Sequence, residues 1–315
     1  MALFIGVDTS NYTTSVAAFD SESGQVVQKK RLLRVKEGER GLRQNEAVFQ
    51  HTLALPELVR ELFAELGDAP VAGVAASVKP RDEEGSYMPC FLVGSGAASM
   101  LASALRVPFY ETTHQAGHIL AALYSAGKTD LLQEPFLAFH VSGGTTEALL
   151  VSPGEERIVR TEIVARTLDL NAGQAVDRVG VAMGLGFPAG AQLDRLAAES
   201  NKKFSIKPVL KGSDCCLSGL ENICQNKIDA GEAKTDIAKY CIDYLSETLG
   251  AMTDTLIDGF GSLPLVFSGG VTANSMIRKR FTERFGAFFA EPQFSADNAA
   301  GVALFAWLKD GEYGL

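Results

Sequence analysis

Short apolar runs separated by polar turns open the chain. Leu3 to Asp8, Thr14 to Asp20 and Val26 to Leu33 predict three successive β-strands, and a helix is expected around Asn45 to Glu65. A strand at Val71 to Val78, a helix at Leu92 to Leu105, a short strand at Pro108 to Glu111 and a helix from His114 follow. The order restarts at Phe136, with strands Phe136 to Val141, Thr146 to Val151 and Arg157 to Ala165. An extended helical region then precedes a strand at Leu263 to Phe267. Asn298 to Lys309 predicts an apolar helix that packs back on the first half.

Three strands followed by alternating helix and strand is the order of an RNase-H-like domain. The restart is also visible residue by residue. The segment from Phe4 to Thr14 aligns ungapped with Phe136 to Thr146, four of the eleven positions being identical. Each copy is an apolar strand, a polar turn and a second apolar strand. Hydroxyls and small residues at such a turn leave backbone N–H groups free to converge on an anion. Two related domains facing one nucleotide are therefore expected, joined by a tight hinge.

At 315 residues and 46% apolar content the chain can bury a full core, and its length favours two domains. The apolar N-terminal run is broken at Asp8, which excludes a secretory signal. The uncharged stretch Ser86 to Leu105 contains Pro89, Gly94 and Gly96, too polar a mix for a spanning helix, so no membrane is expected. Five cysteines without a Cys-x-x-Cys pair suit a reducing, cytoplasmic compartment. The net charge of −9 argues against DNA and against unaided binding of any nucleic acid through phosphates. If RNA is a substrate, a partner or a local patch must supply the positive field. The candidate patches are Lys29-Lys30-Arg31 with Arg34, Lys202-Lys203 with Lys207 and Lys211, and Arg278-Lys279-Arg280; such runs are more often solvated surface.

Three turns qualify as phosphate or nucleoside cradles: Asp8-Thr9-Ser10, Ser142-Gly143-Gly144-Thr145, and Ser268-Gly269-Gly270 continuing to Asn274. The last stands between an apolar strand and a helix, the order that anion binding requires. Glycine there lets a ligand approach the backbone. His114 and His118 lie one helical turn apart and can chelate one ion, although the spacing fits a pair of surface histidines equally well. A carboxylate must complete such a site, and Asp297 is the best donor. Two imidazoles and a carboxylate suit iron or zinc with open positions. Asp169 and Asp177 are eight residues apart, nearly on one helical face, and either point into a cleft or decorate an exposed helix.

The chain resembles the TsaD/Gcp/YgjD family of tRNA threonylcarbamoyladenosine synthesis, once called O-sialoglycoprotein endopeptidases. The match runs in order over nearly the whole chain. It rests on His114 and His118, Val141 to Gly144, Gly173 to Asp177, Pro188 to Gly190, Ser218-Gly219-Leu220, Gly269 to Asn274, and Asp297-Asn298-Ala299. The resemblance implies an α/β actin-like ATPase (ASKHA) fold with two RNase-H-like domains and a nucleotide cleft between them. The expected domains are 1–124 with 297–315, and 125–296. It implies one iron or zinc ion on His114, His118 and Asp297. It also implies ATP or threonylcarbamoyl-adenylate on the Ser142 loop, Asp177, Gly190 and Asn274.

By the same resemblance the reaction moves a threonylcarbamoyl group from its AMP anhydride to N6 of the adenosine beside a tRNA anticodon, with Asp169 the nearest candidate proton acceptor. A protein partner of the same fold is expected, and tRNA only with such a partner or a local basic patch. The departures lie on the acidic and acceptor side. Tyr12 and Thr13 stand where the family has acids, Leu170 and Gln174 replace Asp and Glu, Thr145 replaces His, and Glu221 replaces Lys. Lys79 to Gly85 replaces a Gly-Pro-Gly turn. They suit a diverged paralogue, or a catalytically silent partner subunit that still binds nucleotide. A small-molecule kinase of the same fold would leave the histidine pair unexplained.

Overall fold

The computed structural model describes residues 2–10, 12–35, 42–154 and 158–311. Asn11 of the first turn and Arg157, the expected start of a strand, lie outside them. The chain runs β1 (Leu3–Asp8), β2 (Thr13–Asp20), β3 (Val26–Leu32), α1 (Gln44–Leu66), β4 (Val71–Lys79), α2 (Phe91–Leu105), β5 (Phe109–Thr113) and α3 (His114–Ser125). Then come β6 (Phe136–Val141), β7 (Thr146–Gly154), β8 (Ile158–Arg166), α4 (Ala172–Ala182), α5 (Gly190–Ala198), β9 (Leu210–Lys211) and β10 (Asp214–Cys215). The last elements are α6 (Ser218–Asp229), α7 (Lys234–Phe260), β11 (Leu265–Ser268), α8 (Ser275–Phe285), β12 (Phe288–Phe289), α9 (Pro292–Ser295) and α10 (Ala300–Asp310).

These elements form two compact units. The first comprises Met1–Leu132, Pro153–Arg160 and Gln293–Leu315, the second Gln133–Ser152 and Thr161–Pro292. In the first unit the sheet order is β3-β2-β1-β4-β5, antiparallel across β1, β2 and β3 and parallel across β1, β4 and β5. β1 is buried at every position, which is what a central strand covered on both faces requires. Ile5 and Val7 pack with Leu55, Leu58, Leu62, Ala98 and Ala102 on the α1 and α2 side. The other face receives α10, as the apolar run from Asn298 predicted, and α10 also packs on α3. Edge strand β3 carries charges that discourage further strand pairing, with Lys29 bonded to Glu65 and Arg31 to Glu57 of α1.

Two glycines set how closely these layers approach. A Cβ on Gly6 would collide with the backbone of Ala299 and Ala303, and one on Gly301 with the backbone of Gly117 and Ala121. β1, α10 and α3 are thus held in backbone contact.

The second unit repeats the topology, with order β12-β11-β6-β7-β8, antiparallel between β6 and β7 and parallel across β6, β11 and β12. The aligned segments of the sequence are the β1–β2 and β6–β7 hairpins. Leu137, Phe139 and Val141 of β6 face a helical core that includes Val176, Leu220, Leu245 and Phe281. Phe139 and Phe267 stack at 4.5 Å between ring centres. The expected extended helical region resolves into α4 to α7, interrupted by the two-residue strands β9 and β10.

Glycine-to-alanine substitutions should therefore take opposite signs by position. Gly301→Ala drives a methyl into the α3 backbone and should cost about 3 kcal/mol. Gly96→Ala, at an exposed helical position where a Cβ meets nothing within 4 Å, should stabilise by about 0.5–1 kcal/mol. Denaturant unfolding of the two variants checks both signs.

Candidate functional site

Thr113 caps α3 by accepting the Ala116 amide, so the helix begins at His114 directly off β5. The Nε2 atoms of His114 and His118 lie 3.0 Å apart. Asp297 Oδ1 sits 3.3 Å from the second imidazole and 3.7 Å from the first. A tetrahedral ion with bonds of about 2.0–2.1 Å spaces its ligands about 3.3 Å apart, and the three separations bracket that value. The donor set and its spacing fit one metal ion, as expected from the sequence.

Behind these three stands Asp8. It is 1% exposed, accepts the Ser10 amide at 2.8 Å and the Ser77 hydroxyl at 2.6 Å, and meets His114 Nδ1 at 2.9 Å. With an ion bound, the last contact would keep the proton on Nδ1 and leave the Nε2 lone pair directed toward the other candidate ligands. Asp8 was expected to touch nucleotide; its oxygens are instead committed to His114, Ser77 and its own turn. Burial opposes its ionisation, yet the facing His114 charge holds it below the usual carboxylate range. Burial likewise opposes charge on His114, but Asp8 and then Asp297 prevail and push it up to about 9. Ser10 Oγ is buried and has no hydrogen-bond partner among the described residues, which leaves it able to take a ligand contact.

Sequence reasoning missed His51. It is fully buried in α1 with Nδ1 2.8 Å from Thr14 Oγ1, and burial pulls it down to about 4, so it is neutral. A lone histidine among apolar helix positions gave no sign of this.

In the second unit the Ser142–Thr145 turn closes on itself. The Ser142 amide donates to the Thr145 carbonyl at 2.7 Å, and Ser142 Oγ accepts from the Gly144 and Thr145 amides. The Gly173 amide donates to the Ser142 carbonyl, and Asn171 Nδ2 to the Gly144 carbonyl, so the turn is fixed against the start of α4. A Cβ on Gly173 would strike Gly143, whereas one on Gly143, Gly144 or Gly270 would meet nothing within 4 Å. Packing demands the first glycine and leaves open space at the other three. Gly269 has φ 97° and lies against the Val141 backbone, where no side chain fits.

Several expected ligand side chains are otherwise engaged. A 3-10 turn at Gly270–Ala273 intervenes before α8, so the Gly-Gly turn does not open that helix directly. Asn274 caps α8, accepting the Met276 and Ile277 amides, and donates from Nδ2 to Asp194 at 2.8 Å. Asp177 Oδ1 accepts the Ala189 amide at 2.8 Å and so fixes the turn that precedes Gly190, the first and exposed residue of α5. Asp169 lies before α4, so it shares no helical face with Asp177. Its carboxylate accepts the Leu170, Leu217 and Ser218 amides and the Ser218 hydroxyl. Burial opposes its charge, but those four donors hold it below the usual range. Asp169 therefore anchors the start of α6, and its surroundings do not suit a proton acceptor.

The family model for TsaD, tRNA N6-adenosine threonylcarbamoyltransferase, matches residues 27–304. The chain is 34% identical over 316 aligned residues to a Thermus thermophilus tRNA N6-adenosine threonylcarbamoyltransferase, covering 97% of this chain and 92% of that one. The chain belongs to the TsaD family. Among solved structures it resembles full-length HypF in its phosphate- and nucleotide-bound form, with TM-score 0.61 at 13% identity over 99% of this chain and 56% of that one. It also resembles a ROK family glucokinase from Streptomyces griseus, with TM-score 0.54 at 13% identity over 97% and 99%. Those likenesses establish the actin-like ATPase fold. No helix among the described residues is long and apolar enough to cross a membrane.

The departures from the TsaD pattern have physical settings. Thr13 donates to Asp297 Oδ2 at 3.4 Å, steadying the carboxylate of the ligand set. Leu170 is 6% exposed and belongs to the helical core, Gln174 is exposed, and Glu221 pairs with Arg178. The segment that replaces the family's Gly-Pro-Gly turn lies on the start of α3, where the Pro80 carbonyl accepts the Gln115 amide. The three basic runs are partly paired: Lys29 and Arg31 with α1 acids, Lys202 with Glu232 and Asp236, and Arg280 with Asp243.

Two outcomes follow from this geometry. Asp8→Asn should weaken zinc binding about 10–100-fold, read by chelator competition. In the metal-free protein His114 titrates at about 9 against 6.5 ordinarily. Its protonated ring therefore stabilises the fold fully below pH 6.5, and that contribution is lost as pH rises through 9. Zinc uptake at about pH 7 should accordingly release the proton, which calorimetry in buffers of different ionisation enthalpy detects. Separately, Leu170→Asp, which restores the family residue, should cost about 3 kcal/mol by burying a carboxylate without donors. Gln174→Glu should stay within about 0.5 kcal/mol. Thermal unfolding compares the two.

Proposed function

We propose that this chain transfers a threonylcarbamoyl group from its AMP anhydride to N6 of the adenosine beside a tRNA anticodon. The observation that carries the reading is the convergence of His114, His118 and Asp297 in front of Asp8, in a chain matched by the TsaD model over residues 27–304. Two imidazoles and one carboxylate with open positions suit iron or zinc. Bound there, either ion supplies a Lewis acid that polarises an acyl or phosphoryl oxygen. Asp8 and Thr13 keep the ligand atoms aimed, and the buried Ser10 hydroxyl offers a polar contact.

In the second unit the adenylate, as ATP or threonylcarbamoyl-adenylate, is taken up at the Ser142–Thr145 and Gly269–Gly270 turns. Open space over Gly143, Gly144 and Gly270 supports this, since it lets a ligand approach the backbone of both turns closely, while the hydrogen bonds within the Ser142–Thr145 turn hold its shape. Asp177, with one oxygen on Ala189, offers the other to a ribose hydroxyl beside Gly190. Asn274 acts by holding the start of α8 in place. The net charge of −9 and the partly paired basic runs support a partner protein of the same fold that supplies the positive field for tRNA. The five free cysteines are in keeping with the cytoplasm. A second reading, a nucleotide-binding partner subunit without transfer activity, is favoured by the engagement of Asp169.

The test is to incubate zinc- or iron-loaded protein with preformed threonylcarbamoyl-adenylate and unmodified tRNA, with and without partner proteins, and to follow AMP and modified nucleoside by mass spectrometry. Modified adenosine that disappears in His114→Ala is the expected result. AMP without modified tRNA would mean another acceptor or hydrolysis. Neither product, with nucleotide still bound, would establish the silent subunit.

A further inference from the structure

Among the described residues, Phe187 is the most exposed large apolar side chain, at 78%. A single exposed apolar residue is ordinary on a protein surface; Phe187 differs in its setting. It stands in the turn between α4 and α5, three residues before Gly190, and both shoulders of that turn are fastened to α4. On one side the Leu185 amide donates to the Gly180 carbonyl at 2.9 Å, and Leu185 packs on the helical core. On the other, Ala189 is buried, its amide donates to Asp177 Oδ1, and a Cβ on Gly180 would come within 2.2 Å of its methyl. Between the shoulders the Gly186 carbonyl accepts Gln192 Nε2 at 3.4 Å. The backbone is held and the ring is turned outward, so its exposure is built into the turn.

The same turn is tied to both glycine turns assigned above to the adenylate. Asp194, one helical turn into α5, accepts Asn274 Nδ2 at 2.8 Å and Ser275 Oγ at 3.2 Å, at the start of α8 and directly after the Gly270–Ala273 turn. α4 in turn begins against the Ser142–Thr145 turn, through the Gly173 amide and Asn171 Nδ2. The starts of α4, α5 and α8 therefore belong to one hydrogen-bonded arrangement within the second unit. Asp177 is the residue read above as a ribose contact. Phe187 lies two residues before the Ala189 amide that Asp177 holds, an extended span of at most about 7 Å. A base attached to a ribose at Asp177 falls within reach of that ring.

Resting on the transferase reading, we propose that Phe187 is the stacking platform for the adenine ring of the adenylate. A planar purine laid on an exposed phenyl face removes apolar surface from water on both partners, and an offset stack suits two flat π-systems. The contact reads the face of the base and not its edge. It therefore adds affinity for the nucleotide over bare ribose phosphate without using hydrogen-bond donors or acceptors. Because the turn is fastened before any ligand arrives, little conformational freedom is lost on binding. An alanine at this position removes the platform and leaves the hydrogen bonds of the turn in place.

The experiment titrates the zinc-loaded protein with AMP and, separately, with ribose 5-phosphate, which carries the same ribose and phosphate without a base. Phe187→Trp puts a fluorescent ring at the contact, and wild type, whose one tryptophan is Trp307, is the blank. AMP should quench the added tryptophan and ribose 5-phosphate should not. Phe187→Ala should bind AMP about 10-fold more weakly, the loss of one base–aromatic stack, with its affinity for ribose 5-phosphate and its unfolding midpoint unchanged. Both results are required. If AMP binds wild type but either result fails, Phe187 is not the platform and the transferase reading stands. Equal quenching by the two ligands is such a failure, since the turn then follows the phosphate. So is a Phe187→Ala variant that keeps its AMP affinity and loses tRNA instead. If Phe187→Ala unfolds, the quenching of the tryptophan variant decides. Wild type that binds no AMP overturns the adenylate site and the platform together.

Discussion

A carboxylate taken out of water must be given fixed donors in place of the hydration it loses. In the first unit that carboxylate is Asp8, and its donors come from three places: the amide of its own turn, Ser77 on β4, and His114 on α3. Satisfying it fixes α3 against the end of β1. Because Gly117 of that helix lies in backbone contact with Gly301, α10 is fixed as well, and Asp297 arrives just ahead of it. The ligand set is thus the outer edge of an arrangement whose centre is one buried charge.

The strand and helix order was legible because each segment keeps one period, and the repeated hairpin announced the second sheet. The two-residue strands β9, β10 and β12 escaped because two residues carry no period. The histidine pair could be read because a helix turns i and i+4 to one side. Asp297 was found by asking which carboxylate stood near the terminal helix. What the spacing could not show was the direction of Asp8: a turn aspartate followed by Thr9 and Ser10 reads as a ligand contact until β4 and α3 are seen to close over it.

Asp169 and Asn274 illustrate the same limit in the second unit. Both have the chemistry of a site residue, but each meets amides at a helix start: Asn274 at α8, which it immediately precedes, and Asp169 at α6, which its own stretch of sequence does not announce. Side chains that hold helices in place and glycines that leave open space over the backbone divide the labour. Gly173 and Gly269 serve packing, while Gly143, Gly144 and Gly270 leave room. Composition alone cannot separate these two kinds of glycine, because the difference lies in what a missing Cβ would have touched. Leu170 shows the converse: it reads as a lost acidic ligand and is a core residue.

The first unit is assembled from segments that the second unit separates in the sequence. On a ribosome, synthesis runs from the N-terminus and domains tend to fold as their residues emerge. Most of the second unit is a continuous stretch and can close while α10 is still unmade. β1 must wait with one face uncovered until α10 is delivered. The candidate ligands His114, His118 and Asp297 come together only at that late step, so a growing chain could not assemble the full set before most of its apolar surface had already been buried.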